Sequence, residues 1–572
     1  MQQRHHEEPC SERVLPNATT VRFLLASIVS FLVITACAYR GVPAGAPEEG
    51  PEYANSSPDA GAARYDPPIE ISFVREVDGG LDALNRYLPG DTLDNNRWTR
   101  LYEDVLSIRI RYDWTARGDT YDQKLGIALA SGNIPDVVRV DAGQLRQLSN
   151  AGWIQELTGA YEKHAAPFTK EILNQEGPGP FQAATIDGKL MGIPDTGSSI
   201  ENAQFLWIRI DWLERLRLSP PRTLDDVLAI SRAFTHSDPD GDGISNTYGL
   251  AVTQSLWDPA MGVGGFMAAF GAFPTMWIED ETGQLVHGAA QTETREALRA
   301  LQAMYRDGQI DSEFAFKKGD QVKEDVAAGK IGMLYGEQWS SFLVQANYER
   351  DPVADWRAFP IVAAADEQVQ VPLPLATNRF YAVRKDYAYP EAIVKLFNLH
   401  LEKNWGESAE YDKYYSTPFP VWQLSPVTPF PARKNIEAFR QLEEARLTGN
   451  ATVLEAEAQS IAKSIGAYVT RNDSRGWGWH RTYGPGGAFA ILDDYEKNGQ
   501  LLYEAFNDAP TKTMIERAPL LDDLVQDTFV NIILGRPLEE FERFVGEWNR
   551  LGGADMTAEV NRYARGITLP RS

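Results

Sequence analysis

Alternation at period two opens the folded part of the chain: Ile69, Ile71 and Phe73 stand against Glu70 and Ser72, which predicts a strand with one apolar face. Ile108, Ile110 and Tyr112 repeat the pattern, and between the two runs Trp98 to Leu106 predicts a helix. Val137, Val138 and Val140 supply a short buried strand after Pro135. Strands alternating with helices imply an α/β layer. Further on the period lengthens. Thr292 to Asp307 sets Leu298, Leu301, Met304 and Tyr305 on one face and stops at Gly308, and a helix opening at Pro390 buries Ile393, Leu396 and Phe397. Near the C-terminus Phe541, Phe544, Val545, Trp548 and Leu551 make a stripe closed by Gly552 and Gly553. These stripes read as core. The chain shows no internal repeat.

The first residues follow another pattern. Phe23 to Ile34 is an apolar run of secretory length after Arg22, and it ends in Ile34-Thr35-Ala36-Cys37, which resembles a bacterial lipobox. Residues 1–36 are thus expected to be a signal peptide, with Cys37 the diacylated new N-terminus and residues 37–68, rich in Ala, Gly, Pro, Ser and acids, a flexible tether. An ordinary signal peptide with a chance cysteine is the competing reading. The segment before the apolar run, Met1 to Thr20, departs from pattern by its length and by Glu7, Glu8 and Glu12.

Composition narrows the function. A length of 572 residues exceeds one ordinary core and suggests two lobes. With 43% hydrophobic and 24% charged residues the chain can fold, and its net charge of −25 repels nucleic acid and anionic membrane surfaces. The two cysteines, Cys10 and Cys37, leave the folded body no thiol chemistry. The seven histidines form no His-Glu-x-x-His pair, and neither a Gly-x-Ser-x-Gly elbow nor a P-loop is present.

One loop has metal-ligand spacing. In Asp238-Pro239-Asp240-Gly241-Asp242-Gly243-Ile244-Ser245-Asn246, Asp238, Asp240 and Asp242, the Ile244 carbonyl and Asn246 take alternate positions around a permissive Gly243, as calcium's hard oxygen ligands do. Position twelve is Gly249, where an EF-hand carries glutamate. A solvated acidic turn is the bland alternative.

Several segments, in order, resemble the extracellular solute-binding proteins of family 1, particularly the large lipoprotein branch that includes alginate and other oligosaccharide receptors. They are Trp114-Thr115-Ala116, Tyr121-Asp122-Gln123-Lys124-Leu125, Ser131-Gly132-Asn133-Ile134-Pro135-Asp136, Leu206-Trp207-Ile208-Arg209 with Asp211-Trp212-Leu213, Gly332-Met333-Leu334-Tyr335-Gly336 with Trp339, Tyr389-Pro390-Glu391-Ala392, and Tyr483-Gly484-Pro485-Gly486-Gly487. The resemblance implies a two-lobe, type II periplasmic-binding-protein-like α/β fold with the ligand between the lobes. The first lobe is expected over 69–200 and 355–405, the second over 201–354 and 406–572. It further implies a monomeric, non-catalytic receptor on the outer face of the bacterial cell membrane, held only by its lipid. The receptor would deliver an oligosaccharide, a uronate-containing one being the acidic variant, to the permeases of an ABC importer. A glycosidase, which needs only two suitably spaced carboxylates, and a surface sensor or adhesin are the rival readings.

Sugar recognition calls for flat apolar surfaces beside polar groups. By family position Trp339, with Tyr335 and Glu337, is the leading candidate, and core packing is the alternative for all of them. Trp477, Trp479 and Arg481 form a glycine-punctuated aromatic cluster, Trp257 and Trp277 flank the Gly262 to Gly271 stretch, and Asn96, Trp98 and Asp136 represent the first lobe. Arg209 with Asp211, and Arg379, could hold a uronate, with a structural salt bridge equally able to explain the first two. In the alginate receptors the last calcium ligands come from loop positions nine and ten, which implies Asn246 and Thr247 here.

Overall fold

The structure, a computed structural model, describes residues 63–77, 87–363, 368–417 and 420–564. The expected signal peptide, Cys37 and residues 37–62 lie outside the described residues. Among those described, no helix is long and apolar enough to cross a membrane.

Two hydrophobic cores form, each from distant stretches of chain. The first draws on Ile69 to Ile193, then on Phe380 to Val427, with Ala509 added from near the C-terminus. Strands Ile69–Glu76 and Ile108–Ala116 pair in parallel, bringing Glu76 opposite Ala116. Beside them Arg379–Val383 is central between Val137–Val140 and Ile193–Asp195, both antiparallel to it. Tyr121, on the helix Gly118–Ser131 that leaves the second strand, feels the charges of Glu76, Arg139 and Arg379. Glu76, Arg139, Arg379 and Asp195 therefore share one edge of this lobe.

The second core uses Ile200 to Leu373 and Ile436 to Val560. Its sheet runs in the order Trp356–Phe359, Gln204–Arg209, Ile331–Glu337, Tyr248–Leu250. Glu337 pairs with Gln204 at one edge, while Arg209 pairs with Trp356 at the other. This register moves the expected lobe boundary. Trp356 and Ala358 are buried in the second core, so residues 355–373 belong there, and the chain returns to the first core over 380–427.

Three segments cross between the cores side by side. Gly197 N–H donates to Thr377 Oγ1 at 3.0 Å, Ala376 N–H to Ser199 Oγ at 2.9 Å, and Phe430 N–H to Thr196 Oγ1 at 2.8 Å. Ser198 Oγ donates to the Ala432 carbonyl at 2.5 Å. Glu176 staples two of the three, accepting from Ser199 N–H and, at 3.1 Å, from Thr377 Oγ1. The approach explains Gly197: a Cβ there would lie 2.5 Å from the carbonyl carbon of Ala376.

Candidate ligand-binding cleft

Trp339, Trp405, Tyr411, Tyr415 and Trp422 belong to neither core. Large aromatic groups held outside a core need another reason to be there. Tyr411, just before the π-turn Asp412–Ser416, and Tyr415, within it, stack with ring centroids 4.7 Å apart and planes at 25°. Tyr415 continues onto Trp422 at 6.1 Å and 23°, with Trp405 edge-on at 5.1 Å. Trp422 stands on the short 3₁₀ turn Val421–Leu424, whose Val421 and Leu424 anchor it in the first core.

Charged groups of the second lobe face this platform. Lys434 opens the helix Lys434–Thr448, the end at which the helix dipole disfavours a cation. Carboxylates offset that cost: Lys434 Nζ donates to Glu457 Oε1 at 2.6 Å, and Asn435 Nδ2 ties in Glu201 at 2.8 Å. The ammonium lies 5.7 Å from the Tyr415 ring centroid. Burial alone would depress Lys434, but Tyr415, Glu457 and Glu201 outweigh it and hold the ammonium charged above the usual lysine range. Burial pushes Glu201 up, with Lys434 opposing. Tyr411, from the first lobe, is pushed up by burial and by Glu457 across the gap. Tyr483 is raised by burial and by Glu201 and Glu457, and stacks at 5.8 Å on Trp479. Both lobes thus meet on one polar floor with aromatic walls.

Glu337 and Trp339 extend this floor. Trp339 Nε1 donates to Glu337 Oε2 at 2.6 Å. Burial pushes the Glu337 carboxyl up to about 7, with Trp339 opposing and Glu201 and Asp258 adding to the rise. On the other side of the crossing segments a cavity of about 370 Å³ opens, lined by Asp141, Thr377, Asn378, Arg379, Phe506 and Asp508 among others. Arg379 reaches Asp141 only at 4.0 Å, and burial raises Asp508.

Of the residues singled out in the sequence, Trp339, Glu337 and Arg379 lie at the facing edges of the lobes, and Trp479 packs against the second core through Phe342 and Tyr483. The others lie away from those edges. Tyr335 is fully buried in the second core, edge-on to Phe266. Trp477 is 1% exposed and stacks on Tyr348 at 5.1 Å, while Arg481 covers it and pairs with Asp355 at the remote edge of the sheet. Trp257 packs on Phe529, and Trp277 is buried between His287 and Phe506. Asn96 is the buried N-cap of the helix Arg97–Leu106, and Trp98 packs on Tyr102 and His400 with its indole N–H on the carbonyls of Tyr414 and Val421. Asp136 braces Ser72 and Arg384 at the start of its strand, away from the shared edge. Arg209, 3% exposed, clamps Asp211 through two bonds of 2.8 and 2.5 Å and lies over Trp212, again at the remote edge.

Tyr411, Tyr415, Trp422, Glu201, Lys434 and Glu457 were not singled out. The signal for the three rings was available in Trp405 to Trp422, where six aromatic residues fall among polar ones without the period of a core helix.

In the acidic loop, oxygens of Asp238, Asp240 and Asp242 lie within 4.8 Å of one another. Asp240 Oδ1 and Asn246 Oδ1 are buried without a hydrogen-bond partner, and burial, followed by the Asp238 carboxylate, raises Asp240. The Ile244 carbonyl accepts from Asn246 N–H at 3.1 Å. Thr247 departs from expectation: its hydroxyl is buried and donates to the Phe234 carbonyl at 2.8 Å. Gly249 leaves no space for an acid, since a Cβ would lie 2.1 Å from Ser231 Oγ.

Comparison with known proteins agrees with this architecture. The profile of the family described as "Bacterial extracellular solute-binding protein" matches residues 93–407, more than half of the chain. The polygalacturonan/rhamnogalacturonan-binding protein YtcQ of Bacillus subtilis (strain 168) is 29% identical over 239 residues, 41% of this chain and 44% of that protein. The chain spans less than half the length of the curated relatives it matches. Among solved structures, the alginate-binding protein AlgQ2, solved without calcium ion, superposes with a TM-score of 0.60 at 15% identity, covering 88% of this chain and 99% of that one. The HMO-binding, ABC-transporter-associated solute-binding protein of Bifidobacterium longum infantis ATCC 15697 gives 0.59 at 16% identity, over 87% and 98%. The two-lobe α/β arrangement is the one these structures share.

Proposed function

Because the chain belongs to the bacterial extracellular solute-binding protein family, we propose that it captures an oligosaccharide between its lobes and presents it to an ABC importer without chemical change. The observation that carries the reading is the floor to which both lobes contribute: Tyr411 and Tyr415 from one side, Glu201, Lys434 and Glu457 from the other. Stacked rings offer flat surfaces to the C–H faces of sugars, and carboxylates and amides accept their hydroxyls. Ligand contacts made on both walls exist only when the lobes close, so binding drives closure by differential affinity. Lipid attachment at Cys37, a monomeric state and the importer's permeases as partners complete the reading.

The acidic loop is a calcium brace in this proposal. Asp238, Asp240, Asp242 and Asn246 would hold the ion, because the orphaned oxygens of Asp240 and Asn246 need a positive partner. Bound calcium supplies charge neutralisation that locks the turn after the helix Leu224–His236.

The test is thermal shift of the purified protein with a panel of oligosaccharides, run beside product analysis. A saturable upward shift with the sugar recovered intact is expected. Cleaved product would return the reading to a glycosidase.

A further inference from the structure

The cleft's charges say what kind of sugar it takes. In a protein of net charge −25, any cation free to receive a ligand anion would stand out. Among the described residues, those at the facing edges each have an acid or a carbonyl beside them, Arg379 the most loosely, 4.0 Å from Asp141. Lys434 holds Glu457, with Glu201 close by. Arg139 holds Asp195 at 2.7 Å. Arg75 donates to the carbonyls of Gln423 and Ser425 and, at 3.3 Å, to Tyr112 Oη. Arg379 shares its cavity with Asp141 and Asp508. Arg209, the other candidate for a uronate, is clamped to Asp211 at the remote edge.

Of the buried unpaired polar atoms nearby, Trp405 Nε1 on the platform is a donor, while two others point the same way as the charges. Gln423 Oε1, next to Trp422, and Asn507 Oδ1, in the wall of the 370 Å³ cavity, are buried without partners, and both are acceptors. They call for donors, as does the carboxylate of Glu201. A sugar hydroxyl donates; a ligand carboxylate or phosphate brings acceptors alone and would be desolvated against like charge.

Resting on the carbohydrate reading, we infer that the cleft selects uncharged oligosaccharides and rejects uronate- or phosphate-bearing ones. The acidic floor is the filter: it accepts hydroxyl protons and repels anions, while the Tyr411, Tyr415 and Trp422 platform supplies affinity indifferent to charge.

Titration calorimetry with trimers to pentamers of neutral sugars (gluco-, xylo-, manno-, galacto- and fructo-oligosaccharides) and of oligogalacturonate and oligomannuronate tests this. At least one neutral series is expected to bind, with each oligouronate at least about tenfold weaker than the best of them. An oligouronate that binds as tightly as the best neutral sugar overturns the inference and leaves the carbohydrate reading standing. Absence of binding by either class sinks both. Glu201→Gln with Glu457→Gln, checked for folding by circular dichroism, should narrow the gap by raising oligouronate affinity several-fold. An unchanged gap in that variant means charge is not the filter, and also overturns the inference.

Discussion

Arg209 and Trp422 show how surroundings decide whether a side chain supports the fold or faces the cleft. Arg209 is buried against Trp212 with both ends of its guanidinium on Asp211, so Arg209→Ala strands a carboxylate and should cost about 3 to 5 kcal/mol in urea unfolding. Trp422, outside both cores, should behave in the reverse sense: Trp422→Ala is expected to change melting temperature little and to abolish the ligand-induced shift. Glu337 adds a pH dependence. Its carboxyl, raised to about 7 by burial, keeps a proton that the unfolded chain releases near the ordinary glutamate value. The stability this lends is complete at acid pH below that ordinary value and is lost as pH rises through about 7. Glu337→Gln should flatten the slope of stability across that window by on the order of 1 kcal/mol, reduced by residual solvent contact. Glu504, also raised to about 7, leaves a remaining slope in the variant. Little of this partition was legible in the sequence beyond the salt bridge of Arg209 with Asp211 and the family position of Trp339. Trp339, Trp422 and Trp477 are the same letter in similar company, and only the packing of remote segments sends one into a core and two to the cleft.

At the scale of elements the sequence was more generous. The strands at Ile69, Ile108 and Val137 and the helices Thr292–Arg306 and Glu540–Trp548 carry their periods openly, because each buries one face against a single core. The run from Trp405 to Trp422 hid its role because its rings serve a gap rather than a core, and a gap has no period. The crossing segments were equally silent. Gly197→Ala should force the first two apart and lower stability by about 1 to 3 kcal/mol, read as thermal unfolding. The acidic loop was legible in its first positions and misread at Thr247, whose hydroxyl is taken by the helix before it. Chelation of calcium is expected to lower the melting temperature by several degrees in the wild type and to leave Asp240→Asn unaffected. Equal melting curves with and without chelator would remove calcium from the loop.

For the whole molecule, ligand addition should reduce the radius of gyration in small-angle scattering for the wild type and not for Trp422→Ala. Two lobes were foreseeable from length and from family resemblance. Their boundaries were not, since the strand Trp356–Phe359 reads equally well in either sheet until its pairing with Gln204–Arg209 decides. The interleaving of the two cores has a bearing on synthesis. The first lobe begins at Ile69, yet its interior is incomplete until Val427 has been made, and one of its buried positions waits for Ala509. A ribosome or secretion channel delivering this chain from its N-terminus must therefore release most of the polypeptide before either half can finish folding. Early segments stay available to chaperones throughout, which would suit the export proposed above.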